Sequence, residues 1–202
     1  MKITTLTRSD YQRMRWRNDQ GWTTEIARQP DGPDGGDFDW RISIADIEQD
    51  TAFSRFDGID RSLLLIEGNG LELFFEGNTP DALLRERGRI VRFAGETAAR
   101  CRLIDGPTRD FNVMTRRGRC THEAMFRPVV GPLVVFAESD VQWIAYMVSG
   151  HVREQHAATP RRLEEGMTWV IEPEGGSARQ LVLDGAGEII LVRISWRTAD
   201  AD

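Results

Sequence analysis

Two arginines carry most of the chemistry that this sequence offers. Arg41 stands in Trp40-Arg41-Ile42-Ser43-Ile44-Ala45, where Trp, Ile and Ile alternate with Arg, Ser and Ala. That period of two is a β-strand with one apolar face and one face on which a long cation sits beside small residues. Small neighbours such as Ser43 leave room for a guanidinium to reach into a cavity. On an outward face the same residue would make surface contacts instead. Arg61 follows the turn signal Asp57-Gly58 and precedes the apolar run Leu63-Leu64-Leu65-Ile66. Arginine's planar fork meets a carboxylate with two parallel hydrogen bonds, so Arg61 could anchor an anion. It could equally hold its own turn through an ion pair with Asp60. Glu25, which shares a strand face with Thr23 and Ala27, either orients one of these arginines or faces solvent. Asn112 lies between Phe111 and Val113, and its carboxamide must find hydrogen bonds, from backbone at a strand bend or from a ligand.

Other chemistries find little support. A metal site built on a β-scaffold needs several imidazole or carboxylate donors converging on one ion. The three histidines are His122, His151 and His156, and no His-x-His pair occurs. His151-x-x-Glu154-x-His156 comes nearest, but on strand geometry only Glu154 and His156 share a face. No metal and no cofactor are expected. Neither cysteine has a histidine nearby, no Gly-x-Ser-x-Gly elbow is present, and Ser43 and Ser54 lack an evident base. Gly68-Asn69-Gly70 reads as a hairpin turn rather than a phosphate loop. Cys101 and Cys120 match no metal or redox spacing and read as reduced thiols in a cytoplasmic protein.

The elements that must position these groups are strands. At 202 residues the chain can bury a sizeable core. Its net charge of −6 argues against a general nucleic-acid surface. Nearly all the cations are arginine, Lys2 being the only lysine. The first residues lack an apolar segment of signal-peptide length, and no run approaches the roughly 20 apolar residues of a membrane span. Alternation and turn residues predict strands at 2–6, 22–27, 40–47, 62–67, 70–76, 89–94, 98–105, 110–117, 119–126, 133–137, 142–149, 167–172, 178–184 and 187–196. Residues 8–15 read as a helical turn or loop, residues 30–37 as a loop, and Thr79–Arg87 as the one helix. The glycine pairs 68/150, 88/166 and 106/185 lie about 80 positions apart, as two copies of one strand-turn scheme would. The expected fold is all-β, with few helices: two cupin-like barrels of jelly-roll type in tandem, 1–118 and 119–202, packed as one unit.

Four motifs, in order and spacing, resemble the HutD/Ves family of bacterial proteins. They are Trp16-x-Asn18 with Gly21-x-Thr23-x-Glu25, then Trp40-Arg41-Ile42-Ser43-Ile44-Ala45, then Phe53-Ser54-x-Phe56-x-Gly58-x-Asp60-Arg61, and finally Asp110-Phe111-Asn112-Val113-Met114. The resemblance covers residues 3–118 well and the second half more vaguely. It implies a two-barrel cupin-like fold, a pocket, no demonstrated catalysis and an association with histidine utilisation, where urocanate or N-formylglutamate is the proposed ligand. For Ves relatives it implies stress or cold induction instead. Trp16 and Met114 read by themselves as core, and Asn18 and Gln20 as turn formers. Trp16, Asn18 and Thr23 fall on motif positions and join the candidate set. The chain departs from the family pattern at Asp19, where glycine is usual, at Thr51-Ala52 in place of Gly-Pro, and at Asp57 in place of proline.

The leading functional expectation is a non-catalytic protein that binds a small anionic metabolite and influences histidine utilisation or a stress response. Arg41, Arg61, Glu25, Asn112, Asn18, Thr23, Ser43 and Trp16 would form its site. One alternative is a metal-free enzyme, an isomerase or hydrolase acting on a small carboxylate, with Glu25 as base and the arginines as electrostatic stabilisers. The other is an interaction protein in which arginines and tryptophans anchor an interface. Neither nucleic acid nor membrane is an expected partner, and a homodimer stays open.

Overall fold

The structure is a computed structural model that describes residues 1–30, 37–174 and 179–197. In chain order its strands are β1 (Lys2–Leu6), β2 (Gln12–Arg15), β3 (Gly21–Gln29), β4 (Trp40–Ile47), β5 (Thr51–Ala52), β6 (Ile59–Glu67), β7 (Leu71–Phe75), β8 (Ala82–Leu84) and β9 (Ile90–Ala94). They continue with β10 (Ala99–Leu103), β11 (Thr108–Arg116), β12 (Cys120–Val130), β13 (Leu133–Ala137), β14 (Val141–Glu154), β15 (Arg162–Glu164), β16 (Thr168–Glu172) and β17 (Arg179–Trp196). The described residues contain no helix, so the fold is all-β. The helix expected at Thr79–Arg87 is instead β8, which pairs with β7 and fully buries Leu84. Pro80 and Asp81 start a turn there, and the Asp81 carboxylate accepts a hydrogen bond from the Phe75 N–H at 3.0 Å. Residues 12–15 likewise form a strand, paired with Trp22–Glu25, in place of the helical turn or loop.

The chain divides into two compact units: a central one, Tyr11–Cys120, and a terminal one made of Met1–Asp10 with Thr121–Asp202. The first ten residues therefore belong with the C-terminal part and not with the N-terminal barrel expected for 1–118. The reason is pairing: β1 runs antiparallel to β16, Lys2 opposite Glu172 and Leu6 opposite Thr168.

The central unit holds a six-stranded sheet, β2-β3-β4-β11-β6-β9, and a four-stranded sheet, β5-β10-β7-β8. Both contribute to one apolar core, Ala45, Ile47, Leu63 and Leu65 from the larger sheet, and Leu71, Leu73, Leu84 and Cys101 from the smaller. Each large aliphatic chain so buried contributes about 1.5–3 kcal/mol. The opposite face of β4 is also apolar and buried, with Trp40, Ile42 and Ile44 at 2%, 0% and 2% exposure. Neither sheet closes on itself among the described residues, so the closed barrels of the sequence reading are open, layered sheets. Strand counts and turn spacings are the same for both arrangements, which is why sequence does not separate them.

The terminal unit is built on two long strands, β14 and β17, which pair along most of their length. The two strands expected at 178–184 and 187–196 are one continuous strand that carries Gly185 and Gly187. Gly150 (φ 77°) and Gly187 (φ 139°) face each other. A Cβ on Gly187 would lie 2.0 Å from the Ser149 carbonyl oxygen, so the close approach requires glycine. The register of β14 against β17 shifts between Met147 and Ser149, so that Ala145 and Met147 share a core with Val152, together with Leu181, Leu183, Ile189 and Trp169. The glycine repeat marks equivalent places at one pair of three. Gly88 and Gly166 both sit in turns, whereas Gly68 and Gly106 sit in bends and their counterparts Gly150 and Gly185 within strands.

Candidate functional site

Strand register sets the site. On the inner face of the six-stranded sheet, residues directly opposite each other form three rows across the strands. The first reads Arg28 (β3), Arg41 (β4), Met114 (β11), Arg61 (β6) and Phe93 (β9). The second reads Glu25, Ser43, Asn112, Leu63 and Val91, and the third Thr23, Ala45, Asp110 and Leu65. Neighbouring strands lie about 4.8 Å apart, so Arg41 and Arg61, two strands apart, start roughly 10 Å from each other.

Arg28 enters the first row because of a bulge. The register of β3 against β4 shifts between Glu25 and Ala27. One extra residue there turns Ala27 to the far face, opposite Ile42, and brings Arg28 opposite Arg41. The expected grouping of Thr23, Glu25 and Ala27 on one face fails at this point, and an arginine replaces the alanine.

Above the rows lies a cavity of about 800 Å³. Arg41, Arg61, Ser43, Asn112, Thr23, Asn18 and Trp16 all line it. Glu25 does not; it lies 6% exposed beneath the wall, and its carboxylate accepts a hydrogen bond from Arg41 Nε. Three of the lining groups are engaged with other parts of the wall. The Trp16 indole N–H donates to Thr23 Oγ1 at 2.7 Å. Asn18 Nδ2 donates to Gln20 Oε1 at 2.7 Å and to Thr51 Oγ1 at 3.1 Å. Thr51, one of the departures from the family pattern, thus ties this turn to β5. Gly21 is needed in the same turn: a Cβ there would lie 2.5 Å from the Asp46 carbonyl oxygen and 3.0 Å from the Trp16 ring. Asp19 takes the left-handed conformation (φ 56°) in which glycine is at ease, and its side chain, 83% exposed, meets Arg15 Nε at 3.4 Å.

Arg61 is the least satisfied cation of the site. It is 4% exposed, and its guanidinium lies 4.9–5.5 Å from the ring centres of Phe53, Phe56 and Phe93. Its one hydrogen bond among the described residues runs from Nη1 to the Ser54 carbonyl oxygen at 3.2 Å, and Nε has no partner. It does not pair with Asp60, whose carboxylate takes Arg117 instead at 2.8 Å. Burial lowers the Arg61 pKa to about 10, with neighbouring Asp110 opposing the shift and Arg41 adding to it.

Asp110 completes the polar floor and was not among the candidates read from sequence. It is fully buried, lines the cavity, and among the described residues neither carboxylate oxygen has a hydrogen-bond partner. Burial raises its pKa to about 7, against the pull of Arg61 and with a smaller push from Asp46. The signal was present: an acid two residues before Asn112 in an otherwise apolar strand must share its face. Asn112 Oδ1 is also buried without a partner.

Elsewhere the candidates do not assemble. Glu154 ends β14, and His156 lies beyond it in a left-handed conformation (φ 65°), so the two do not share a strand face. Among the described residues no three His, Cys, Asp or Glu side chains form a group that could hold a metal. Cys101 and Cys120 are free and buried, each thiol pushed up to about 11 chiefly by burial.

A sequence profile of the HutD family matches residues 8–191. An uncharacterised 21.2 kDa protein of Pseudomonas putida, from the hutC 3' region, is 42% identical over 106 residues, 52% of this chain and 54% of that protein. Protein Ves of Citrobacter koseri is 40% identical over 182 residues, 90% of this chain and 88% of that protein. The solved structure of HutD from Pseudomonas fluorescens SBW25 (formate condition) superposes with a TM-score of 0.80 at 27% identity, covering 98% of this chain and all of that one (100%). At 12% identity and below, the fold alone recurs in cupin-like proteins.

Proposed function

We propose, from the premise that this chain belongs to the HutD family, that its central unit binds a small carboxylate metabolite in the cavity above the arginine row, without catalysing its conversion. The family is linked to histidine utilisation, and binding would let the protein respond to an intermediate of that kind. One observation carries the reading. Arg61 is a buried cation that lines a cavity, with an unpartnered Nε and no carboxylate bonded to it among the described residues. A charge taken out of water needs a partner, and unpaired it weakens the fold by several kcal/mol. An anion entering the cavity supplies that partner. Arg41, held by Glu25, adds a second guanidinium whose direction is already fixed. Such a site handles charge with protein groups alone and calls for no metal or cofactor.

The test is thermal unfolding with urocanate, N-formylglutamate, glutarate and formate. A bound carboxylate at 100 times its Kd raises stability by about 2.7 kcal/mol, a shift of several degrees for a chain of this size. Arg61→Ala and Arg41→Ala should each remove the shift, since truncating a desolvated arginine–carboxylate contact costs roughly 2–5 kcal/mol. Arg197→Ala, exposed after β17, should leave it intact. Identical shifts in the parent and all three variants would refute the site.

A further inference from the structure

Anion binding accounts for the arginines and leaves one buried acid of the cavity wall without a role. Asp110 is 0% exposed, and among the described residues neither of its oxygens has a hydrogen-bond partner. It lines the same cavity as Arg41 and Arg61. The neighbouring strands offer it only hydrocarbon, since Ala45 on β4 and Leu65 on β6 stand opposite it. Two of the cavity's cations already face an anion each before any ligand arrives. Arg41 is held by Glu25, and Arg61 and Asp110 attract each other without a hydrogen bond. An anion placed on Arg61 then sets two negative charges against one guanidinium. Two carboxylates that share a buried site repel, and the site relaxes by protonating one of them.

Resting on the carboxylate reading above, we infer that the ligand enters together with a proton: Asp110 takes one from water as the anion settles on Arg61, and the carboxylic acid so formed donates its O–H to the bound carboxylate. One cation and one anion then face each other in the cavity, and a buried Asp110 oxygen gains the partner it lacked. No bond of the ligand is made or broken, and the proton returns to water on release. Binding is thereby tied to pH, tighter in acid and weaker in base. The charged and titratable groups that face Asp110 are engaged or hold their charge state near neutrality. Glu25 on β3 is taken by Arg41 on β4, and Asp46 on β4 by Arg109 and Arg13. Arg28, also on β3, stands two strands from β11 and donates to the Asp37 carbonyl oxygen at 2.9 Å. Asp50, just before β5, accepts the Leu103 N–H at 2.8 Å. Arg61 on β6 stays charged, its pKa lowered only to about 10, and the Cys101 thiol on β10 stays neutral, raised to about 11. Burial holds Asp110 itself at about 7. The three histidines all lie outside Tyr11–Cys120.

Titration calorimetry of the intact chain with formate and glutarate decides the point, since both probes keep their own carboxyls ionised above about pH 6.5. Below about pH 7 free Asp110 already carries its proton, so affinity should be level there. Above that value each bound anion must bring a proton with it, and affinity should fall by up to about tenfold per pH unit. Titrations in Hepes and in Tris, whose heats of ionisation differ, should show uptake rising toward about one proton per ligand at about pH 8.5. Asp110→Asn cannot ionise and keeps a donor. It should flatten the profile and bind at least about tenfold more tightly than the parent at about pH 9. Parent affinity that stays level or rises with pH, or binding without proton uptake, overturns the coupling even if Asp110→Asn fails to fold. A slope that survives in Asp110→Asn overturns it as well. If neither probe binds at any pH, the carboxylate reading falls and the coupling with it; if both bind with a flat profile, only the coupling falls.

Discussion

The two units answer the same packing problem in opposite ways. In the terminal unit the core side chains are apolar apart from the Trp169 indole N–H: Val129, Met147, Val152, Leu163, Trp169, Leu183 and Ile189 are all at most 3% exposed. In the central unit an apolar core and a polar cavity share one sheet face. Below Leu63, Leu71 and Leu84 the interior is closed, and beyond them the inner face turns into Glu25, Arg28, Ser43, Arg61, Asp110 and Asn112, all buried. Alternation of apolar and polar residues along a strand normally separates core from solvent. Here both faces of β4 and β11 are buried, so alternation separates a core from a polar cavity. The difference between a filled sandwich and a binding site is thus a matter of which residues occupy every second position on three strands.

If that contrast is real, truncation should hurt most where space is filled. Trp169→Ala should cost about 3–5 kcal/mol in urea unfolding, the usual range for emptying a large aromatic site. A loss under 1 kcal/mol would mean that the terminal core is not packed as described. Making the cavity resemble the filled unit should do the reverse. Arg61→Met together with Asp110→Leu replaces two buried charges that attract without hydrogen-bonding by hydrocarbon beside three phenylalanines. The pair of substitutions should stabilise the ligand-free chain by roughly 1–4 kcal/mol while abolishing carboxylate binding. Destabilisation would show that the two charges are needed by the fold itself.

The third effect is a slope. The Asp110 pKa is raised from 3.8 unfolded to about 7 folded, so between these values the folded chain holds a proton that the unfolded chain has lost. Stability from this group is therefore greatest at low pH and falls as pH rises, by at most about 1.4 kcal/mol per pH unit, until it levels off above 7. Asp110→Asn should remove this component when unfolding is followed from pH 5 to pH 8. An identical slope in parent and variant would place the unpartnered carboxylate elsewhere.

Period-two reading carries far in such a chain because it is local. The faces of Trp40–Ala45, the turn at Gly58 and the arginine that follows it could all be read from nearest neighbours. What could not be read depends on partners distant in sequence. The bulge in β3 is visible only against β4, so strict alternation places Ala27 on the face that Arg28 in fact occupies. The pairing of β8 with β7 overrode a helical composition at Thr79–Arg87. Asp110 was overlooked although it lies in the same motif as Asn112, because a single acid in a strand reads as an edge or a solvent-facing residue until burial is known. Open sheets and closed barrels share one sequence pattern, and only the pairing at the edges distinguishes them.

The pairing of β1 with β16 has a consequence for the living chain. Lys2–Leu6 leaves the ribosome well ahead of its partner Thr168–Glu172, which emerges more than 160 residues later. At about 5–20 residues per second the first strand waits on the order of ten to thirty seconds before it can dock. Tyr11–Cys120 needs nothing from either end of that interval to complete its own sheets. The cavity-bearing unit can therefore mature during synthesis, before the strand that pairs with β1 has been made.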